Sequence, residues 1–470
     1  MQGIIPQIEK DNPNYSHAVK WFSLAIGSLV LAGLFSLFLI IARTPLFSDF
    51  ITDPLFFKRG LVVHVDLALI VWVFSFIASL FYVLIPGERE NGFFNKLYFG
   101  ISVCGVGMMA ISPGVTGSEP ILSNYIPVVD NSVFIAGLLM FSAGIFFSFL
   151  DSRLMYEQKN INKDFSDMSY LPGIKIAVLL IFIAFQTFVI SYVNIDTSLR
   201  TDVYYEILFW GGGHILQFAS EIIKVSIWIF LLYSLTGSYP IARKHFFILS
   251  GLYILPVLAF LPYSYTHNPA TNDFRDIYTN LMRWGIFPFT TVVFIYCVKF
   301  IIKNKENYKL KLQDFRYNGF IISVLLTVLG YLLGALISSS DTMVPAHYHA
   351  SIGAVTVAFM TFSFLLIKML NFSLPHFYNS KIVSYQPFIF GFGQALFSIG
   401  FAIAGSQGMG RKVYGSEQKV KGLVDYAGLT MMGLGGFIAI IGGLIFLSVI
   451  LAAMYKTFFS MHSAVKIINN

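Results

Sequence analysis

Stretches of about 20 consecutive apolar residues, long enough to cross a bilayer as helices, recur along this chain with polar segments between them. Twelve such spans are predicted: Trp21–Ala42, Gly60–Leu84, Leu97–Ser112, Val133–Leu150, Ile174–Tyr192, Tyr204–Leu235, Phe246–Phe260, Tyr278–Val298, Phe320–Ser338, His347–Met369, Gln386–Gly405 and Thr430–Tyr455. Only helices satisfy their own backbone hydrogen bonds in lipid, so each span is read as a helix. The short alternating segments of a transmembrane barrel are absent. The expected class is an all-α polytopic membrane protein with an N-terminal segment 1–20, a twelve-helix domain 21–455 and a tail 456–470.

Composition sharpens this reading. Of 470 residues, 56% are hydrophobic and 12% charged, against about 25% charged in soluble domains. A soluble enzyme and a disordered chain are both excluded. The net charge of +7 is no nucleic-acid signature, because most Lys and Arg lie in loops between spans. Cys104 and Cys297 sit inside apolar runs and offer neither a disulfide framework nor a CxxC metal motif.

Loop charges set the expected orientation. The N-terminus, the even-numbered loops and the C-terminus together carry about twice the Lys and Arg of the odd-numbered loops. Both termini are therefore expected in the cytoplasm. The outer loop Ser406–Leu429 is an exception, with four basic residues of its own.

The histidines add chemistry to this topology. His64 lies about one turn into span 2, His214 deeper in span 6, His267 just after span 7, and His347 and His349 at the start of span 10. All five fall in the outer half of the membrane. A lone membrane histidine is ordinarily a hydrogen-bonded packing residue, but polar groups in lipid are costly and their convergence points to function. Histidine is also a usual axial ligand of haem iron. A two-residue spacing turns a helix by about 200°, so His347 and His349 point to opposite sides. They suit two haems flanking one helix better than one metal.

The segment SSDTMVPAHYHASIGAVTVAFM resembles the HxH helix of haem-copper oxidase subunit I, especially its B-type form. FWGGGHILQF is similar to that family's entry to its binuclear site, VVHVDLALIVWVFSF to its low-spin haem helix, and GSQGMGRKVYG with DYAG to the loop before its last helix. The resemblance implies two haems of unknown type. His64 and His349 would ligate a low-spin haem, His347 a high-spin haem, and Arg411 and Lys412 would pair with propionates. Asp341 and Thr342 match the polar edge above the high-spin haem. The family's second metal is held by three histidines; His214 matches the first, and His267 alone stands for the following pair. Two imidazoles would hold copper less firmly than three. Phe218 occupies the place of a helix 6 tyrosine or glutamate, leaving Tyr263 and Tyr265 as candidates for an active-site tyrosine.

Glu221 lies seven residues, about two turns, beyond His214 on nearly the same face. Lys224 follows three residues later, close enough to pair with it. The two form either a proton path from the cytoplasmic side or an internal ion pair. The resemblance implies a respiratory oxidoreductase of the bacterial inner membrane that reduces O2. The alternatives are a nitric oxide reductase-like enzyme, or a dihaem electron carrier or gas sensor without working copper. Expected partners are the bilayer, other membrane subunits and an electron donor, whether cytochrome c, another redox subunit or quinol; nucleic acid is not among them.

Overall fold

The computed structural model describes residues 5, 7–46, 54–84, 92–115, 117–150, 171–308, 313–413, 420 and 422–468. Among them, twelve helices are long and apolar enough to cross a membrane. They are α1 (Pro13–Arg43), α2, α3 (Gly92–Ile111), α4 (Ser132–Phe149), α5 (Leu171–Asn194), α6 (Thr201–Thr236), α7 (Arg243–Thr266), α8 (Asn272–Tyr308), α9 (Phe315–Ala335), α10 (Met343–Met369), α11 (Lys381–Ser406) and α12 (Leu423–Ile468). Helix α2 joins Pro54–Asp66 to Trp72–Leu84 through a π turn at Leu67–Val71. Each predicted span finds its helix.

Most helices run past the predicted ends, because polar flanking residues cap them. Asn12 accepts from the Asn14 backbone with Pro13 opening α1, Asn131 accepts from Phe134, and Ser380 accepts from Val383. Helix α7 continues through Pro256 and Pro262 to Thr266, beyond the predicted end at Phe260. Prolines are tolerated inside membrane helices where neighbouring groups take up the freed backbone atoms. Helix α1 begins inside the predicted segment 1–20, parts of which lie outside the described residues. Helix α12 carries the predicted tail on as helix to Ile468.

Sequential helices pack together as antiparallel pairs, notably α3 with α4, α5 with α6, α9 with α10 and α11 with α12. A small hairpin, β1 (Glu119–Ile121) and β2 (Val128–Asp130), pairs Glu119 with Asp130 between α3 and α4. Its tip carries Tyr125 in a left-handed backbone conformation, φ 67°.

Burial separates the helices by role. The most apolar windows of α2, α6 and α10 are 89%, 83% and 83% buried, whereas no other helix exceeds 56%. These three central helices carry His64, His214, His347 and His349. They meet in an aromatic cluster where Phe76 of α2 stacks on Phe359 of α10 at 4.4 Å and Phe230 of α6 lies 5.1 Å from Phe362.

Helices α11 and α12 approach through glycines. A Cβ at Gly400 would meet the Met432 backbone N at 2.4 Å, and one at Gly435 would meet Phe397 N at 2.3 Å. Small residues let membrane helices pack backbone to backbone. Gly435→Val should therefore lower the melting temperature of the solubilised protein, with an overpacking cost of about 1–3 kcal/mol. Gly443→Val, whose Cβ meets nothing within 4 Å, serves as the control. Equal melting temperatures for the two variants would contradict this packing.

Candidate functional site

The HxH spacing places its two rings on opposite faces of α10. His347 lies against α9, its Nδ1 2.7 Å from the carbonyl oxygen of Gly330, with Gly334 leaving room for the imidazole. His349 faces α11, its ring 4.5 Å from Phe397 and 6.0 Å from Phe401. His64 lies against α1, its Nδ1 2.9 Å from the carbonyl oxygen of Ala32, and within electrostatic reach of His349. A carbonyl can only accept, so Nδ1 of His64 and of His347 carries the proton. Each keeps the Nε2 lone pair free for a metal. Ligating histidines are commonly fixed in this way.

Near these rings the loops at one end of the bundle interlock. Arg411 donates through Nη1 to Asn124 Oδ1 at 2.9 Å, while its Nε is buried without a partner. Arg43, the last residue of α1, donates to the Arg411 carbonyl at 3.1 Å and lies over the rings of Phe57 and Phe401. Lys412 is exposed. Partial desolvation and then the Arg411 charge hold its ammonium below the ordinary lysine range, so an anion docked there would gain from both cations. Asp341 accepts from Met343 N at 2.7 Å at the start of α10, and Thr342 donates to the Phe401 carbonyl. The Phe401 carbonyl belongs to α11, while Thr342 N donates to the Met409 carbonyl at 2.9 Å and Asp341 bridges to Gly410, so the start of α10 is held to α11 and to the loop that follows it.

The two donors suggested for a second metal lie in different surroundings. His214 is 1% exposed. Its Nδ1 donates to the Trp210 carbonyl at 2.6 Å, and its Nε2 lies 2.7 Å from the hydroxyl of Tyr125. His267 stands exposed at the end of α7, stacked on Tyr263 and bonded to Thr266. It shares no hydrogen bond or ring contact with His214. Tyr265 is exposed and meets Gln186. No group of three His, Cys, Asp or Glu capable of holding a metal occurs among the described residues. The residues present thus fit haem, with two fixed imidazoles and an orphaned guanidinium nitrogen, but they do not fit copper.

Glu221 and Lys224 do meet, at 2.9 Å, and are nearly buried. Glu221 also accepts from Thr290 at 2.6 Å and from Tyr331 at 3.5 Å, and Lys224 donates to Thr327 at 2.8 Å. The pair therefore links α6 to α8 and α9.

Tyr125, Asn124 and Arg43 were not among the residues singled out by sequence. Nothing in the order of residues brings the hairpin tip to His214, 89 positions away. The trace that could have found it is Gly213, where a Cβ would lie 2.5 Å from Cβ and Cγ of Tyr125. A glycine at such a point allows close approach.

A family model described as cytochrome c and quinol oxidase polypeptide I matches residues 16–445. An uncharacterised protein of Rickettsia prowazekii (strain Madrid E), RP382, is 26% identical over 92% of this chain and 95% of its own length. An uncharacterised protein of Aquifex aeolicus (strain VF5) is 28% identical over 78% of this chain and 88% of its own. A haem-copper terminal oxidase dimer solved by cryo-electron microscopy has the same fold, with TM-score 0.69 and 16% identity over 94% of this chain and 84% of that one.

The buried pair yields a test. Truncating one member of a buried ion pair leaves the other charged and unpaired, at about 3–5 kcal/mol. Glu221→Ala should lower the melting temperature sharply, and Glu221→Leu combined with Lys224→Met should recover much of the loss. Equal stability of wild type and Glu221→Ala would show that the pair holds nothing together.

Proposed function

The chain belongs to the cytochrome c and quinol oxidase polypeptide I family of membrane respiratory oxidoreductases, whose members carry haem, and on that premise we propose a two-haem electron-transfer subunit that delivers electrons to O2. The observation that carries this reading is the matched setting of His64 and His347. Each donates its Nδ1 proton to a carbonyl of the neighbouring helix and keeps Nε2 free.

His64 of α2 and His349 of α10, within electrostatic reach of each other, would hold a low-spin haem. His347, on the other face of α10, would hold a high-spin haem as its single protein ligand. Bound haem would supply one-electron chemistry at iron and a place for a diatomic gas.

The chain's own groups do the rest. Gly330 and Ala32 fix the imidazole tautomers. Arg411, with its unpartnered Nε, and Lys412 would pair with propionates; charge-assisted bonds of this kind are the strong ones. Arg43 holds the Arg411 backbone in place. Glu221, supplied with donors by Thr290, Lys224 and Tyr331, would pass protons taken up from the cytoplasm. Electrons would enter from another subunit, a cytochrome c or quinol. The proposed location is a bacterial inner membrane, given twelve apolar helices and relatives in Rickettsia prowazekii and Aquifex aeolicus.

His64→Ala should abolish the low-spin absorption while leaving a high-spin signal. Retention of the full low-spin spectrum would remove His64 from the ligand set. Arg411→Gln takes a positive charge from beside a haem and favours its oxidised form, so a midpoint potential should fall by about 40 mV, the one-electron equivalent of roughly 1 kcal/mol. An unchanged potential with full haem retention would place Arg411 in a purely structural role.

A further inference from the structure

Tyr125 reaches His214 by a route that several independent features maintain. Its backbone is in the left-handed region, which a bulky residue adopts only where the surroundings impose it. Asn124, next to it, donates through its backbone N at 2.8 Å and through its side-chain amide to the carboxylate of Glu206 on α6. Arg411 donates to the same side chain from the opposite side. Gly213 supplies the space into which the base of the Tyr125 side chain fits. The phenol ring lies 4.5 Å from the His214 ring and 5.8 Å from Trp210.

The hydrogen bonds fix what His214 can do. Its Nδ1 is committed as a donor to the Trp210 carbonyl. In the neutral imidazole Nε2 is then an acceptor, and the Tyr125 hydroxyl donates to it. The lone pair that a second metal would need is taken, and the anchored hairpin keeps it taken. Phe218, four residues on, turns its ring to Tyr253 and adds no ligand.

We propose that Tyr125 and His214 form a metal-free pair in the place where related sites hold a second metal, so that this chain takes a small neutral diatomic ligand at one haem iron beside a phenol–imidazole pair. Tyr125 is a positioning and specificity residue in this scheme: its hydroxyl occupies the His214 nitrogen and sets the polarity beside the ligand. The proposal rests on the haem assignment to His347 made above and on the resemblance that matches His214 to a ligand of the family's second metal.

The test uses the full-length purified protein. It is loaded with copper under reducing conditions, washed with chelator, and assayed for iron and copper. The reduced protein is then exposed to carbon monoxide, and the C–O stretching band is recorded for wild type and Tyr125→Phe, which keeps the ring. Gly213→Ala, which pushes Tyr125 away from the other side, is the second variant. The expected result is haem iron without stoichiometric copper, and a C–O band that shifts in both variants. One chelator-resistant copper per chain, or a band identical in wild type and Tyr125→Phe, would overturn the proposal while leaving the haem assignment standing. A wild-type protein without any carbon monoxide-binding haem would overturn that assignment and this proposal together.

Discussion

Imidazole nitrogens buried in a membrane must find partners, and the partner chosen for one nitrogen decides the chemistry of the other. In α2 and α10 a carbonyl of the neighbouring helix takes the Nδ1 proton of His64 and of His347. The Nε2 lone pair is then left free, which is what the proposed haem ligation requires. In α6 the carbonyl of Trp210 plays the same part for His214, but Tyr125 meets the nitrogen left over. One physical rule thus separates two open histidines from one closed one. The central burial of α2, α6 and α10 serves this rule by keeping water, the competing partner, away.

The loops at the hairpin end of the bundle lock these helices in register. Arg411 touches Asn124 of the hairpin, Asn124 touches Glu206 of α6, and Arg43 of α1 holds the Arg411 backbone. The basic loop and the cap on His214 are therefore one assembly. A propionate drawn to the free Nε of Arg411 would act on the same network that positions Tyr125. Deeper in α6, the Glu221–Lys224 pair ties that helix to α8 and α9, so the proposed proton path and the cohesion of the bundle would rest on the same atoms.

Much of this was legible in the sequence for a simple reason. Lipid forces the backbone into helices, so runs of apolar residues mark every span. The opposite facing of His347 and His349 follows from helix geometry alone, and so does the reach from Glu221 to Lys224. The helix ends were less legible: Asn12, Asn131 and Ser380 extend helices into polar flanks, and α7 absorbs two prolines. The π turn after Asp66 and the left-handed Tyr125 left no readable mark, since both depend on tertiary contacts. The triple glycine before His214 was visible as a motif, but what fills its space could be learned only from the fold.

The central claim is that this chain presents one bis-histidine site and one single-histidine site to haem. It is tested most directly by a haem count per chain combined with low-temperature electron paramagnetic resonance of the oxidised protein. The account predicts two haems, one giving a low-spin bis-imidazole signal and the other a high-spin signal. A single haem, or two low-spin haems with no high-spin component, would contradict it.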